Sequence, residues 1–422
     1  MARWRGRIAG RTGPAVTVVA TTVLLSGCWF QLGASGGSAR HNPSERTLTP
    51  ETVGGLHTVW SVELGGDNDR PGEAMVADSR ALVTVDSEST VDVRAFDLAD
   101  GMVAWNANLL ALPGDGVFAT GTDVTIQGDQ VLTGRLGVVP VWPHVPGPVC
   151  IDEEFRLDLD TGERSSDVPT FAYPSPTASD GGVVARTLFD LPEDCIFSDA
   201  QVTLDVAVNR PGAPATRWRS GVPGATTAVA PRVAGDRVLL LTGGRLDAYA
   251  ATGCGTGTCA PAWSRTFPTP ASNPIMGRTG PIHLVSAGNL LAIDRATGAE
   301  VWRAPVSSPA LALPGGTLLA TVAAPGGGDA LAAFDAAGCG QATCAPTWTA
   351  PLSGTAPGSV VVGGRVAYVS TSDAVQAFDV SGCGAPACPA LATVPVAGSG
   401  TLSVGDGHVL VRTGTSLTAL AG

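Results

Sequence analysis

An eleven-residue pattern, A-x-D-x-x-[TD]-G-x-x-x-W, recurs along this 422-residue chain and limits the possible folds more than any other feature. The clearest copies are Ala95–Trp105 and Ala292–Trp302. Weaker copies begin at Arg156, Thr203, Ala248, Ala333, Ala377 and Ala419. Successive starts lie 61, 47, 45, 44, 41, 44 and 42 residues apart. A period of this length over most of the chain is typical of a β-propeller with four strands per blade.

The residues between the motifs have the composition of short antiparallel strands. In one repeat, the runs Arg237–Leu241 and Arg245–Tyr249 flank the pair Gly243-Gly244, as in a hairpin with a tight turn. No helical periodicity appears after the first 27 residues. The sequence therefore predicts an all-β chain.

The number of motifs predicts eight blades and also how the ring closes. The last copy reaches Gly422 without room for a fourth strand, whereas residues 56–63 carry Trp60 without a preceding motif. Pairing residues 56–63 with the last blade would complete that sheet and leave no open edge. We therefore expect residues 51–422 to form one eight-bladed propeller.

The motif resembles the tryptophan-docking motif of the quinoprotein-like, or PQQ-repeat, propellers, over about residues 50–422. That group includes quinoprotein alcohol dehydrogenases and a non-catalytic outer-membrane assembly lipoprotein. The resemblance implies that each motif tryptophan bridges neighbouring blades, where a large flat side chain buries much apolar area. The copies from Arg156 and Ala377 lack it. The residues expected in this structural role are Trp60, Trp105, Trp218, Trp263, Trp302 and Trp348.

The N-terminus has the features of an export signal. Residues 1–27 combine four arginines with an apolar run too short to span a bilayer permanently. The run ends at Leu25-Ser26-Gly27-Cys28, which resembles the lipobox of bacterial lipoproteins. We expect a lipid on Cys28, with plain secretion and a chance cysteine as the alternative. Residues 28–50 would then be a flexible tether to the outer side of the cell membrane.

Three cysteine pairs share the spacing C-G-x-x-x-C, namely Cys254/Cys259, Cys339/Cys344 and Cys383/Cys388. Each pair follows a motif and precedes the next strand, so each lies in a connecting loop. In an exported chain we expect three disulfides. Zinc binding and redox catalysis are alternatives, but no histidine lies near the pairs and C-x-x-C is absent.

The remaining two cysteines, Cys150 and Cys195, are expected to form a fourth disulfide across a lengthened part of the repeat. Acidic residues flank both of them. Such a bridge would draw these carboxylates into a patch able to hold Ca²⁺ or a basic partner, although a solvated, self-repelling loop rim is the simpler and favoured explanation. The flanking acids are Asp152, Glu153, Glu154, Glu193 and Asp194.

Charge and composition exclude several functions. The chain has no lysine, so a P-loop lysine and a Schiff-base lysine are impossible. Without residues 1–27, 37 acidic residues stand against 21 arginines, a formal charge of −16. So acidic a chain argues against nucleic acid or anionic lipid as its main partner.

The sequence favours a non-catalytic, membrane-anchored module that binds an envelope protein or peptide. We expect no catalytic residue, no metal and no cofactor, and a monomeric chain. One alternative is a PQQ- and Ca²⁺-dependent dehydrogenase, although the adjacent cysteines common in those enzymes are absent. Another is a hydrolase or lyase with a dispersed site in the central funnel.

Overall fold

The computed structural model describes residue 35 and residues 37–66, 69–87, 90–111, 118–121, 124–127, 129–139, 149–165, 177–190, 201–210, 214–222, 230–255, 257–268, 271–355 and 357–422. In these residues the chain consists of short β-strands in eight sheets, with one 3-10 turn at Val53–Gly55. The all-β expectation is confirmed for this part of the protein. None of its helical residues forms a helix that is long and apolar enough to cross a bilayer.

The first four sheets follow the chain order. Sheet 1 contains β3 (Arg70–Pro71), β4 (Met75–Ala77), β5 (Arg80–Asp86), β6 (Thr90–Asp97) and β7 (Val103–Ala111). Sheet 2 contains β8 (Phe118–Gly121), β9 (Thr125–Gln127), β10 (Gln130–Val139) and β11 (Val149–Asp158). Sheet 3 contains β12 (Thr177–Asp180), β13 (Val183–Asp190), β14 (Gln201–Val208) and β15 (Thr216–Val222). Sheet 4 contains β16 (Arg232–Ala234), β17 (Arg237–Thr242), β18 (Arg245–Ala250) and β19 (Trp263–Thr266).

Sheets 7 and 8 each include one strand from the N-terminal part of the chain. Sheet 5 contains β20 (Ile275–Met276), β21 (Ile282–Ser286), β22 (Asn289–Ile293) and β23 (Glu300–Pro305). Sheet 6 contains β24 (Leu311–Ala312), β25 (Thr317–Ala323), β26 (Asp329–Asp335) and β27 (Trp348–Pro351). Sheet 7 contains β1 (His41–Asn42), β28 (Ser359–Gly363), β29 (Val366–Ser370), β30 (Ala374–Asp379) and β31 (Ala392–Pro395). Sheet 8 contains β2 (His57–Glu63), β32 (Thr401–Gly405), β33 (His408–Thr413) and β34 (Ser416–Ala421).

Two-residue turns join many neighbouring strands and explain the glycine pairs in the sequence. Between β17 and β18, Gly243 and Gly244 have φ values of 55° and 82°, and Thr242 pairs with Arg245. Positive φ at both central residues is the turn geometry that matches the twist of a hairpin. Glycine adopts it without a steric cost.

Antiparallel strands place the connections of each sheet alternately at two ends. We call one end the hairpin face: in sheet 4 it holds the turn 235–236 and the connection 251–262. The other end, the link face, holds the turn 243–244 and the link that leaves Thr266 for sheet 5. These two faces give every connecting loop a defined position.

The N-terminal strand β2 completes sheet 8. It pairs antiparallel with β34, and Trp60 lies opposite Ala419, as Trp105 lies opposite Ala95 in sheet 1. β2 therefore occupies the fourth-strand position that the sequence count left empty in the last repeat.

The prediction of a flexible tether over residues 28–50 is wrong for residues 37–50, which we call the strap. The strap runs along the hairpin face and its carbonyl groups accept hydrogen bonds from the first strands of sheets 5, 6 and 7. These bonds are Met276 N to Gly37 O at 2.9 Å, Leu313 N to Ala39 O at 2.8 Å, Val362 N to Arg40 O at 2.8 Å and Gly364 N to Asn42 O at 2.9 Å. Residues 28–34 and 36 of the predicted tether lie outside the described residues.

Buried polar side chains hold the second half of the strap. Asn42, Glu45 and Leu48 are each at most 3% exposed. Asn42 Nδ2 donates to Val404 O at 2.9 Å, and Glu45 Oε2 accepts from Gly407 N at 3.0 Å. The strap thus fastens sheets 5 to 8 by backbone and single side-chain contacts, which require no apolar periodicity.

Removing the indole of Trp60 should destabilise the protein strongly, because Trp60 is 7% exposed and lies on a strand taken from a distant part of the chain. We expect Trp60→Ala to lower the free energy of unfolding by about 3–5 kcal/mol. Val59→Ala is the matched control, because Val59 is its neighbour in β2 and is 39% exposed. Guanidinium unfolding measures both. Equal, small losses for the two variants would contradict the packing of β2.

Candidate functional site

The six predicted tryptophans all lie where one sheet meets the next, a contact that we call a seam. Each indole nitrogen donates to a backbone carbonyl of the neighbouring sheet. The bonds run from Trp60 to Leu98 O (2.7 Å), Trp105 to Leu159 O (2.9 Å), Trp218 to Ala251 O (3.3 Å), Trp263 to Arg295 O (2.9 Å), Trp302 to Ala336 O (3.4 Å) and Trp348 to Val380 O (3.3 Å).

The motif glycine makes room for the indole at each of these seams. A Cβ on Gly101, whose φ is 73°, would lie 2.7 Å from the Trp60 ring. The same approach recurs at Gly162, Gly253, Gly298, Gly338 and Gly382. The motif aspartate builds the turn that presents this glycine: Asp294 Oδ1 accepts from Thr297 N at 2.8 Å. The motif is therefore explained by the seam contact, which is structural.

The motif copy that the sequence analysis began at Thr203 begins three residues later in the structure. Trp218 lies opposite Val206, which is therefore the first residue of the copy. A copy that began at Thr203 would have made Asp205 its motif aspartate. Asp205 lies instead one position before the residue that faces the tryptophan, as Asp247 does in sheet 4. The start at Thr203 was wrong, because a degenerate copy without the turn sequence does not fix its own register.

The three disulfides Cys254–Cys259, Cys339–Cys344 and Cys383–Cys388 are confirmed, with Cα–Cα distances of 5.7, 5.7 and 5.5 Å. Each closes a connection on the hairpin face. Each loop also reaches the preceding sheet: Arg219, Arg303 and Thr349 form parallel bridges with Thr258, Thr343 and Ala387. The disulfides therefore hold loops that cover three seams directly beside the docked tryptophans.

The remaining predicted residues are not brought together by the described structure. Cys28, Cys195, Glu193 and Asp194 lie outside the described residues. Cys150 lies in β11 opposite Val138, and residues 152–154 continue the same strand. The Cys150–Cys195 disulfide and the acidic patch stay predictions.

A cavity of about 490 Å³ lies between the first strands of sheets 4 to 7, and the residues of these sheets that line it are at the link-face ends of the strands. The strap supplies Ser38 and Arg40 to its wall, so the strap closes it on the side of the hairpin face. The polar part of the remaining lining is Arg232, Ser272, Asn273 and Ser359, and apolar residues such as Ile275, Leu311 and Val360 form the rest. The sequence did not predict this cavity, because its walls come from four repeats and the strap.

Arg40 ties the cavity to sheet 1. Its guanidinium forms an ion pair with Glu73 at 3.4 Å and donates to Ser359 Oγ at 3.2 Å. The Glu73 side chain is 6% exposed, so the pair is shielded from solvent. The strap therefore links sheets 1 and 7 by charged and polar groups as well as through its backbone.

Three arginines surround one buried carboxylate in sheet 3. Asp205 accepts hydrogen bonds from Arg186, Arg217 and Arg219 at 2.6–3.1 Å. Burial by itself raises the pKa of Asp205, but the three hydrogen bonds outweigh it and lower this pKa to about 2. The corresponding carboxylate in sheet 4, Asp247, accepts hydrogen bonds from Arg245 and Ser264. The cluster joins the outer three strands of sheet 3.

His283 is a fully buried titratable group in β21. Its Nε2 lies 3.0 Å from Ala336 O, and its ring packs 6.0 Å from that of Trp302. Complete burial lowers the pKa of His283 to about 4. The ring is therefore neutral near pH 7, so this carbonyl accepts a hydrogen bond from a neutral imidazole. Its position at a seam indicates a structural role.

No group of three or more histidine, cysteine or carboxylate side chains with the spacing of a metal site occurs in the part of the chain that the structure describes. The cavity is the candidate binding site, and the polar part of its lining consists of arginine, hydroxyl and amide groups.

A sequence profile of the family described as outer membrane protein assembly factor BamB matches residues 156–381 and 286–421. The chain belongs to this family. It is a PQQ-repeat β-propeller, as its tryptophan motif predicts. No curated protein matches the chain as a relative.

Solved structures that resemble this BamB-family protein have low sequence identity. A europium-containing methanol dehydrogenase has 11% identity and a TM-score of 0.36, over 94% of this chain and 98% of the other. The dihydro-heme d1 dehydrogenase NirN has 14% identity and a TM-score of 0.43, over 75% and 64%. Sqt1 from Saccharomyces cerevisiae has 11% identity and a TM-score of 0.45, over 80% and 92%. Likenesses this weak carry no argument about function.

The seam geometry predicts that a methyl group at Gly101 is far more damaging than one at Gly243. Both glycines have positive φ, so both variants bear the left-handed backbone cost of about 1–2 kcal/mol. A Cβ at Gly101 would meet the Trp60 ring, whereas nothing lies within 4 Å of a Cβ at Gly243. We expect Gly101→Ala to lose at least about 2 kcal/mol more than Gly243→Ala in urea unfolding. Equal losses would contradict the seam contact.

Burial of His283 should make stability depend on pH. A folded-state pKa near 4 lies below the ordinary value of about 6.5, so the stabilisation is complete above about pH 6.5 and is lost as the pH falls towards 4. Because His283 is protonated in the unfolded chain but not in the folded one, it should lower the free energy of unfolding of the wild type by about 2 kcal/mol at about pH 5. His283→Gln should lose less stability over that interval, whereas His57→Gln, at an exposed position of β2, should behave as wild type. Identical pH profiles for all three proteins would contradict this account.

Proposed function

We propose that this protein is a lipid-anchored, non-catalytic β-propeller that binds an envelope protein or peptide outside the cytoplasm. The observation that carries the proposal is the family match over residues 156–421, since that family is described as an assembly factor. The lipobox-like sequence ending at Cys28 supports the anchor and the exported location. The proposal includes no cofactor.

We also propose that the eight sheets are eight blades of one closed ring. Two contacts support closure: β2 pairs with β34, and Trp60 on β2 donates to Leu98 of sheet 1. Together they join the last sheet to the first. A ring of this kind offers a partner one broad, rigid face, which suits a scaffold more than a mobile active site.

The cavity is the natural centre of the binding face. Its arginines, hydroxyl groups and amide group can hold the backbone or side chains of an inserted peptide segment. The lining residues from the sheets are at the link-face ends of their strands, which is the side from which a peptide would enter. The exposed residue at its mouth, Asn273, offers both a donor and an acceptor.

Experiments on protein purified from cell membranes test the lipid anchor, the binding of an envelope partner and the proposed lack of dehydrogenase activity. We expect the N-terminal tryptic peptide to carry acyl chains on Cys28, and Cys28→Ala to move from the membrane to the soluble fraction. Cross-linking in cells should recover an envelope protein that captures this chain in the reciprocal experiment. Dye reduction with alcohols or aldose sugars after addition of PQQ and Ca²⁺ would overturn the proposal and favour a dehydrogenase.

A further inference from the structure

The strap begins at the hairpin face, which fixes where an anchor must attach. Gly37 accepts its hydrogen bond from Met276, the last residue of β20 and hence at that face. Cys28 precedes Gly37 by nine residues, a length that spans at most about 30 Å even when fully extended. A lipid on Cys28 therefore keeps this end of the molecule close to the bilayer. This step rests on the proposed function.

Three loops of the hairpin face carry no charge. The connections in sheets 4, 6 and 7 that contain the disulfides, residues 251–262, 336–347 and 381–391, have no charged residue at all. Gln341 and Ala385, at the tips of two of them, are exposed. In a chain this acidic, uncharged loops are the parts that can approach lipid headgroups without repulsion.

Exposed arginines lie on the same face. The side chains of Arg278 and Arg365, in first turns of sheets 5 and 7, are 72% and 64% exposed, and Arg46 of the strap is exposed. Each basic group near an anionic membrane surface is attracted by about 1 kcal/mol. Two of the arginines pair with aspartates at the ends of strands, Arg278 with Asp180 of β12 in sheet 3 and Arg365 with Asp379 of β30, so the local charge is balanced.

Acidic groups lie on both faces. On the link face they include Asp69, Asp86, Asp329 and Asp373. On the hairpin face of sheets 4 to 7, four aspartates are balanced by four arginines: Asp236, Asp294, Asp335 and Asp379 stand with Arg237, Arg278, Arg295 and Arg365. On the hairpin face, clusters of acids occur in the turns of sheets 1 and 2, at Asp97, Asp100, Asp158 and Asp160. The side of the hairpin face formed by sheets 4 to 7 is thus the part of the described surface best suited to a membrane.

We propose that the protein lies with its hairpin face against the membrane, with the disulfide loops of sheets 4, 6 and 7 nearest to the lipid, so that the link-face ends of the strands that line the cavity point away from it. The membrane is the partner of the hairpin face, and the link face is free for a protein partner. The disulfides then have a second role, because they keep the contact loops rigid.

Hydrogen–deuterium exchange on the lipidated protein tests this orientation. The protein is bound to vesicles of phosphatidylglycerol and phosphatidylethanolamine and compared with the same protein in detergent. We expect exchange in peptides covering 251–262, 336–347 and 381–391 to slow at least roughly threefold on vesicles. The link-face turns at 243–244, 324–328 and 371–373 should not change. Protection of those turns instead, or of neither set, would overturn the proposal.

A pair of charge variants tests the same contact. Gln341→Glu places an acid on a disulfide loop and should reduce the protection of 336–347, since the anionic surface repels it. Pro325→Glu places the same acid on an exposed turn of the link face and should leave the exchange pattern unchanged. Equal patterns for the two variants would contradict a membrane contact at the hairpin face.

The face can also be tested without the natural lipid. Mass spectrometry that finds no acyl chain on Cys28 contradicts the proposed anchor and not the orientation. In that case a histidine tag in place of residues 1–28 attaches the chain to nickel-chelating vesicles at the same point. Slower exchange in the three disulfide loops then supports the orientation, and unchanged exchange overturns it.

Discussion

The contact of a tryptophan ring with a glycine of the next sheet is the interaction on which this structure depends. Each sheet alone is a small unit that cannot bury both of its faces, so its stability comes from its neighbours. The indole supplies the buried area and a directed hydrogen bond, and the glycine supplies the space and the positive φ. The seam between sheets 4 and 5 has both residues: Trp263 is the tryptophan of the sheet 4 motif, and Gly298 is the glycine of the sheet 5 motif.

The other features strengthen or replace this contact. Disulfide loops form a bridge to the strand that carries the tryptophan, as at Arg219, Arg303 and Thr349. The seam after sheet 7 lacks a tryptophan, since Ala392 stands opposite Ala377. There the 3-10 turn at Val53–Gly55 packs against β31. The strap adds hydrogen bonds across four sheets and closes the cavity on one side.

The sequence was sufficient for the features that repeat. The 44-residue spacing predicted the sheets, and the unmatched Trp60 predicted the strand that pairs with β34. Three C-G-x-x-x-C pairs predicted three loop disulfides. The start at Thr203 was misplaced because its copy is degenerate. The strap was missed because Asn42 and Glu45 act through single hydrogen bonds, which leave no periodic pattern. The cavity was missed because residues far apart in sequence build it, and the Asp205 cluster was missed because it depends on which residues face each other across three paired strands.

Amide exchange of β2 in the free protein tests the central claim most directly, that a strand from the start of the propeller completes its last sheet. The account predicts that amides of residues 58–62 which bond to β34 exchange as slowly as those of β33 and β34, only upon global unfolding. Exchange of these amides at the rate of an unstructured chain, while β33 and β34 stay protected, would contradict it.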